Sequence, residues 1–299
     1  MRLDNFRNNK RSFSKERTMQ LLKKLLINLI LTIGAAFMLT PLLWMLATAL
    51  SPNEVVPGTS LIPHDITFDN FIAAWNFPKD FSPDPNHPVT MGTFFKNSII
   101  CTVSITVLGI IVDSLAAYVL AFKDFPGKKI FIFLALATMM IPFYVTLVPE
   151  YLVIRKLKWT NTYQAMIIPF IASGMGISLF RSHFLGVAKE LEECAKLDGA
   201  SDFRVYLTII MPISRPIIGT MAILKSMWAW NQYMWPLVVI TDTRMKPIQV
   251  ALNWFSGQNL TQWGYLCAGM TMAILPLVIV FLCMQKQFIG GLQAGAVKG

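Results

Sequence analysis

Few residues in this chain are of a type and spacing that could do chemistry. Glu192 and Glu193 are adjacent carboxylates, and carboxylates serve general acid–base catalysis when a pocket holds them. They lie in the polar stretch LEECAKLDGASDFRVYLTIIMPISRP, residues 191–216, which gives no pocket signal, so the pair points away from catalysis and the chain is read as a non-enzyme. His64, His87 and His183 are far apart and lack metal-ligand spacing. Cys101, Cys194, Cys267 and Cys283 include no CxxC pair, which argues against a zinc site or a disulfide framework. Asp113 and Lys225 stand out because each lies inside a long apolar run. Beyond Lys225 follow Trp228, Trp230, Asn231, Gln232, Tyr233 and Trp235, aromatic faces mixed with amides. That mixture suits a sugar ring, and it equally suits an aromatic belt with core packing at a membrane interface.

The elements that would position these residues are membrane spans. The chain has 299 residues, 55% hydrophobic and only 14% charged, well below the roughly one-quarter charge of soluble domains. A span needs ~20 apolar residues. Six such runs occur, at about 25–50, 93–122, 130–149, 162–184, 213–240 and 262–288. The expected fold class is therefore all-α, an integral membrane bundle of six transmembrane helices in a lipid bilayer. Residues 1–24 form a basic, loosely ordered tail, and 25–299 form the transmembrane domain. The net charge of +10 sits beside the spans, as the positive-inside rule expects, and without the aromatic interleaving of a nucleic-acid surface. This places both termini in the cytoplasm. Residues 150–161 carry Arg155, Lys156 and Lys158 on the expected outer side, which an interfacial amphipathic helix would explain.

The polar island reads as helix, elbow, helix. Over 184–198, the residues Phe184, Val187, Ala188, Leu191, Cys194 and Ala195 share one helical face, with Lys189, Glu192, Glu193 and Lys196 elsewhere on the surface. Glu192 and Lys196 form an i, i+4 pair in the favoured order. Gly199 suits a left-handed helix terminus, and Ser201 an N-cap with Asp202 in the first turn. Phe203, Tyr206, Leu207 and Ile210 give the second helix an apolar side, and Pro212 marks the entry to the fifth span.

EECAKLDGASDFRVYLTIIMP resembles the EAA signature of ABC importer permeases, through Glu193, Ala195, Asp198, Gly199, Ala200, Ile209 and Pro212, with Cys194 where alanine is usual. AYVLAFKDFPGKK, WNQYMWPL and GGLQAGAVKG look like the carbohydrate-uptake branch, and within it the six-span, maltose G type subunit. The resemblance implies a permease subunit of an ATP-driven, binding-protein-dependent oligosaccharide importer in a bacterial inner membrane. Its implied partners are a second homologous permease subunit, two cytoplasmic ATPase subunits and an extracytoplasmic solute-binding protein. The coupling helices would span 184–211, with Glu192, Glu193, Ala195, Asp198, Gly199 and Ala200 contacting the ATPase. The chain has no GxxxxGK[ST] stretch, so ATP and Mg would be bound by the partner ATPase rather than by a P-loop here.

Lys225 lies ~13 residues, or ~20 Å, above Pro212, and Asp113 ~9 residues, roughly 14 Å, above the cytoplasmic end of its span. A lysine side chain could bridge that difference. Lys225 therefore either pairs with Asp113, lines water, or faces the translocation path and meets an acidic, uronate-containing sugar. Lys225, Trp228, Asn231 and Tyr233 are the candidate path residues, with Asn231 favoured. A glycerol-phosphate or polyol importer is the alternative, since WNQYMWPLVVITD also resembles that subgroup. A membrane transferase would need convergent carboxylates or histidines, and a secondary transporter would show inverted repeats. GMG at 174–176 permits close helix packing.

Overall fold

The computed structural model describes residues 2–52, 61–63, 65–76, 88–255 and 262–296. Among these residues every regular element is helical. Helix α1 spans Arg2–Leu50, so the segment expected as a loose tail continues as one helix with the first span. No Gly or Pro occurs before Gly34 to stop it, and Pro41 lies within the helix. From residue 19 to residue 43 α1 is exposed on all sides, and only Ala47, Thr48 and Ala49 enter the core. Such a stretch requires lipid or another subunit around it.

The bundle proper is built on α3, Met91–Phe122, and on α14, Trp263–Ala296. Between them the spans are broken. Helix α2, Asp69–Asn76, docks on the end of α1, where Asn70 donates to the carbonyls of Ala49 and Ser51. Helices α4, Lys128–Thr138, and α5, Phe143–Lys156, meet at 105°, because Pro142 forbids helical continuation at the residue before it. The basic residues at 155 and 156 thus end α5, which begins earlier than the interfacial helix expected at 150–161. Helix α6, Tyr163–Ile167, with a 3₁₀ turn to Phe170, is bent 42° from α7, Gly174–Phe184. Among the described residues three helices are long and apolar enough to cross a membrane, and up to six spans result if each bent pair is one.

The island follows as α8, Lys189–Leu197, then α9, Asp202–Val205, a π turn over Tyr206–Ile210, and α10, Met211–Ile213. This second limb meets α11, Arg215–Trp230, at 81° about the buried Ser214. The fifth span does not continue through residue 240 as one helix. It breaks at Asn231–Tyr233, and α12, Met234–Val239, resumes it. Helix α13, Ile248–Leu252, packs back on α3 and α14.

Three apolar clusters stack along the bundle. One joins the ends of α1, α2 and α3 to α13 and α14 around Phe94, Phe255 and Trp230. A second joins α5, α6 and α12 around Trp235 and Met166. The third joins α3, α7, the π turn and α11 around Tyr118, Phe180, Phe184, Tyr206 and Ile210, and it carries the island. All four cysteines are free thiols.

Candidate functional sites at the elbow and within the bundle

The elbow forms as its residues dictate. Gly199 adopts φ +81°, and its N–H donates to the Lys196 carbonyl, closing α8. A β-carbon there would meet nothing within 4 Å, so the requirement for glycine is conformational and not steric. Ser201 caps α9, its side chain accepting from the N–H of Arg204.

Two features differ from the sequence expectation. The first helix starts at Lys189, not at residue 184; Phe184 ends α7 and a turn over 185–188 separates the two. The expected apolar face is also only partly kept: Phe184, Val187 and Ala195 pack against the bundle, but Leu191 and Cys194 do not. Glu192 is the buried residue of α8, while Leu191 and Cys194 are exposed and Leu197 is 87% exposed. The cause is Lys123, the residue that ends α3. Its Nζ reaches Glu192 Oε1 at 2.7 Å and Asp202 Oδ1 at 2.5 Å, and Lys196 Nζ reaches the same two oxygens at 2.8 and 3.2 Å. Two cations and two anions thus satisfy each other beneath the elbow, and the apolar side chains are left outside. The i, i+4 pairing of Glu192 with Lys196 is present within this cluster. Burial acts to raise the Glu192 carboxyl, but the hydrogen bonds from Lys123 and Lys196 outweigh it and hold the group below its ordinary value. Burial likewise opposes the charged form of Lys123, and the hydrogen bonds to Asp202 and Glu192 outweigh it, raising its pKa.

The second limb splits its apolar residues. Tyr206 and Ile210 are buried in the bundle, whereas Phe203 is 62% and Leu207 49% exposed. Leu191, Leu197, Phe203 and Leu207 therefore make an unpartnered apolar surface, with Glu193, Asp198 and Gly199 exposed alongside and Ala195 and Ala200 half-buried.

Inside the bundle, Lys225 of α11 meets Asp113 of α3, Nζ to Oδ2 at 2.8 Å, with Asp113 fully buried and Lys225 7% exposed. Asp113 also accepts from the N–H of Ser173 and from its hydroxyl, both at 2.8 Å. Ser173 is the N-cap of α7, so the carboxylate sits at the positive end of that helix. Two glycines make the room. A β-carbon on Gly176 would lie 1.8 Å from Asp113 Oδ2, and one on Gly109 would lie 2.6 Å from Lys225 Nζ. The close packing expected of GMG also holds for Gly174, which abuts the Ala135 carbonyl of α4. Of the open readings for Lys225, the ion pair is the one this conformation contains.

The aromatic stretch divides. Trp230 and Trp235 are core residues, their indole N–H groups donating to the carbonyls of Ala273 and Ala165. Trp228 is 45% exposed and packs edge-on to Phe170, Asn231 is exposed and accepts from Gln249, and Tyr233 is half-buried. Lys225, Trp228 and Asn231 follow one another at three-residue spacing, and of these Lys225 is buried while Trp228 and Asn231 are exposed. Sequence reasoning missed Lys123, Ser173 and Gly109. Lys123 was visible only as one more positive charge in a basic turn. Among the described residues no group of three or more His, Cys, Asp or Glu could hold a metal; His64 and His87 lie outside them.

A bent-span helical bundle with a polar elbow at one end and a paired charge within it is the architecture of a multi-pass membrane protein. Residues 105–291 match the family described as "Binding-protein-dependent transport system inner membrane component", and the chain belongs to it. It is 33% identical over 282 residues to the arabinooligosaccharides transport system permease protein AraQ of Halalkalibacterium halodurans, covering 92% of this chain and 98% of that one. It is 31% identical over 244 residues to the sn-glycerol-3-phosphate transport system permease protein UgpE of Salmonella typhi, covering 81% and 83%. Its fold matches a chain of a solved bacterial ABC transporter involved in the import of the acidic polysaccharide alginate, with TM-score 0.75 and 24% identity over 89% of this chain and 96% of the other. The resemblance drawn from the EAA-like segment is thus borne out at the level of a carbohydrate importer permease, and the relatives are transport permeases rather than enzymes.

Proposed function

We propose that the chain is one permease subunit of an ATP-driven importer of oligosaccharides, working in a bacterial cytoplasmic membrane with both termini inside. A second, homologous permease would complete the path, two ATPase subunits would bind ATP and Mg, and a solute-binding protein would deliver substrate from outside. The observation that carries this reading is the elbow. It projects from the bundle with Glu192 and Asp202 paired to lysines underneath and the apolar side chains of Leu191, Leu197, Phe203 and Leu207 exposed. A surface of that kind, with Glu193 exposed at its edge, fits a groove on a cytoplasmic motor. Closure of the ATPase dimer would then rock the bundle and alternate its access.

For the substrate, Trp228 and Asn231 offer an aromatic face and an amide on one helix side, the chemistry of sugar recognition. The oligosaccharide named for the Halalkalibacterium relative agrees with it. An acidic sugar or a glycerol phosphate is the second reading. It is favoured by the intramembrane Lys225 and by the glycerol-phosphate relative, and it requires the anion to displace Asp113. Competition of labelled neutral oligosaccharide uptake by uronate oligomers and by glycerol 3-phosphate separates the two.

The elbow assignment is tested by the double variant Glu193→Ala, Gly199→Pro. It should insert normally and lose association with the ATPase, and unchanged transport would sink the assignment.

A further inference from the structure

Helix α3 is tied to the elbow and to α11 at three heights. At its cytoplasmic end Lys123 holds Glu192 of α8 and Asp202 of α9 together. Further in, the Tyr118 hydroxyl donates to Glu192 Oε1 at 3.4 Å, and its ring meets Tyr206 edge-on with centroids 5.6 Å apart. Ser114 Oγ and the Tyr206 hydroxyl share a 2.8 Å hydrogen bond. Deepest, Asp113 holds Lys225 of α11. From Lys123 to Asp113 is ~15 Å of continuous helix.

The direct backbone route from elbow to α11 is a poorer strut. It passes through a π turn over Tyr206–Ile210 and the 81° bend at Ser214. Thrust on α8 is therefore better carried sideways into α3 than along the chain. Chains of packed side chains, hydrogen bonds and ion pairs of this kind carry energetic coupling between distant sites.

We propose that Lys123 is a positioning residue for transport, fastening the docking elbow to α3 so that elbow, α3 and, through Asp113 and Lys225, α11 move as one lever. This rests on the reading of the elbow as the segment that meets the ATPase. Lys123 lies beneath the elbow, away from the outward surface of Leu191, Leu197 and Phe203, so docking and force transfer are separable functions of different residues. Without Lys123, Glu192 and Asp202 share the single cation Lys196, and the elbow keeps its own shape while losing its ionic tie to α3; the Tyr118 and Ser114 contacts that remain lie on the side of the second limb and of one oxygen of Glu192.

The test uses the whole transporter, reconstituted with its second permease, ATPase and binding protein. Lys123→Met should still copurify with the ATPase and hydrolyse ATP, while substrate moved per ATP falls at least tenfold; Lys123→Arg should restore the ratio. Spin labels at exposed Asp124 and Glu190, in a background with Cys194→Ser and Cys283→Ser, should report the same separation in the nucleotide-free and ATP-bound wild type, and a broadened one in Lys123→Met. The proposal is overturned by a wild-type ratio in Lys123→Met, by a separation that differs between the two wild-type states, or by loss of ATPase copurification in Lys123→Met. Failure of the underlying reading is distinguishable, because then the wild-type chain itself does not copurify with an ATPase.

Discussion

Asp113 and Lys225 meet 2.8 Å apart between α3 and α11, and Ser173 at the start of α7 closes the contact from the third side. Three helices are thus joined through one fully buried carboxylate. Both charges are desolvated, so the energetic consequence lies in separating them more than in having them.

Removing one partner should therefore be worse than removing both. Lys225→Met or Asp113→Asn alone leaves a polar or charged group unmatched, and for the lysine deletion about 3–5 kcal/mol is expected. The double variant should recover much of that loss. Thermal unfolding of the purified protein, compared across the cycle, gives the coupling; additive losses would deny it. If the pair is purely a tie, Lys225→Gln should impair neutral and acidic sugar uptake alike, and selective loss for acidic sugars would favour the second substrate reading.

Gly176→Ala and Gly109→Ala should differ in severity. The Asp113 oxygen that a Gly176 β-carbon would strike is pinned by Ser173 and Lys225, so backbone must shift, at about 1–3 kcal/mol or more. The Gly109 β-carbon meets the end of a flexible lysine, which can retract. Expression and melting temperature should fall more for Gly176→Ala.

At the elbow, Gly199→Ala should cost about 1–2 kcal/mol, because only the left-handed backbone at φ +81° is at issue. The readout is local: faster amide exchange over residues 189–205 with the bundle unchanged.

Acid should release the same elbow. Glu192 has a folded pKa held below its ordinary 4.5, so its contribution is complete above about pH 4.5 and is lost as pH falls through the lower folded value. Amide protection of α8 should be level from pH 8 to about 5.5 and drop only below 4.5, and Glu192→Gln should reduce that dependence to the part carried by Asp202, whose carboxyl the hydrogen bonds from Lys123 and Lys196 also hold below its ordinary value.

Trp228→Ala and Asn231→Ala should each lower transport kcat/KM five- to tenfold, about 1–1.4 kcal/mol, with stability retained. Trp230→Phe should do the reverse, since its N–H is spent on the Ala273 carbonyl.

How much of this was legible beforehand follows from which interactions are local. The span count, the Gly199 elbow, the Ser201 cap and the Glu192–Lys196 pair depend on neighbours within a few residues, and sequence spacing displays them. The burial of Glu192 in α8 depends on Lys123, nearly seventy residues away. Helical periodicity alone assigns Leu191 inward and Glu192 outward, and a distant cation reverses both. The breaks at Pro142 and Asn231–Tyr233 were also hidden, because apolar runs read as continuous spans whatever their backbone path. Asp113 and Lys225 could be matched by height, but their third partner Ser173 and the clearance given by Gly109 and Gly176 required the packed helices.

The central claim is that this chain carries substrate inward on energy supplied by a cytoplasmic ATPase and on delivery by a binding protein. Proteoliposomes containing the assembled transporter, with ATPase subunits on one side and binding protein on the other, measure it directly. The account predicts accumulation of labelled oligosaccharide only when ATP and the loaded binding protein are both present, and its abolition by Glu193→Ala, Gly199→Pro. Uptake that proceeds without ATP, driven by a proton or sodium gradient and unaffected by the double variant, would contradict it.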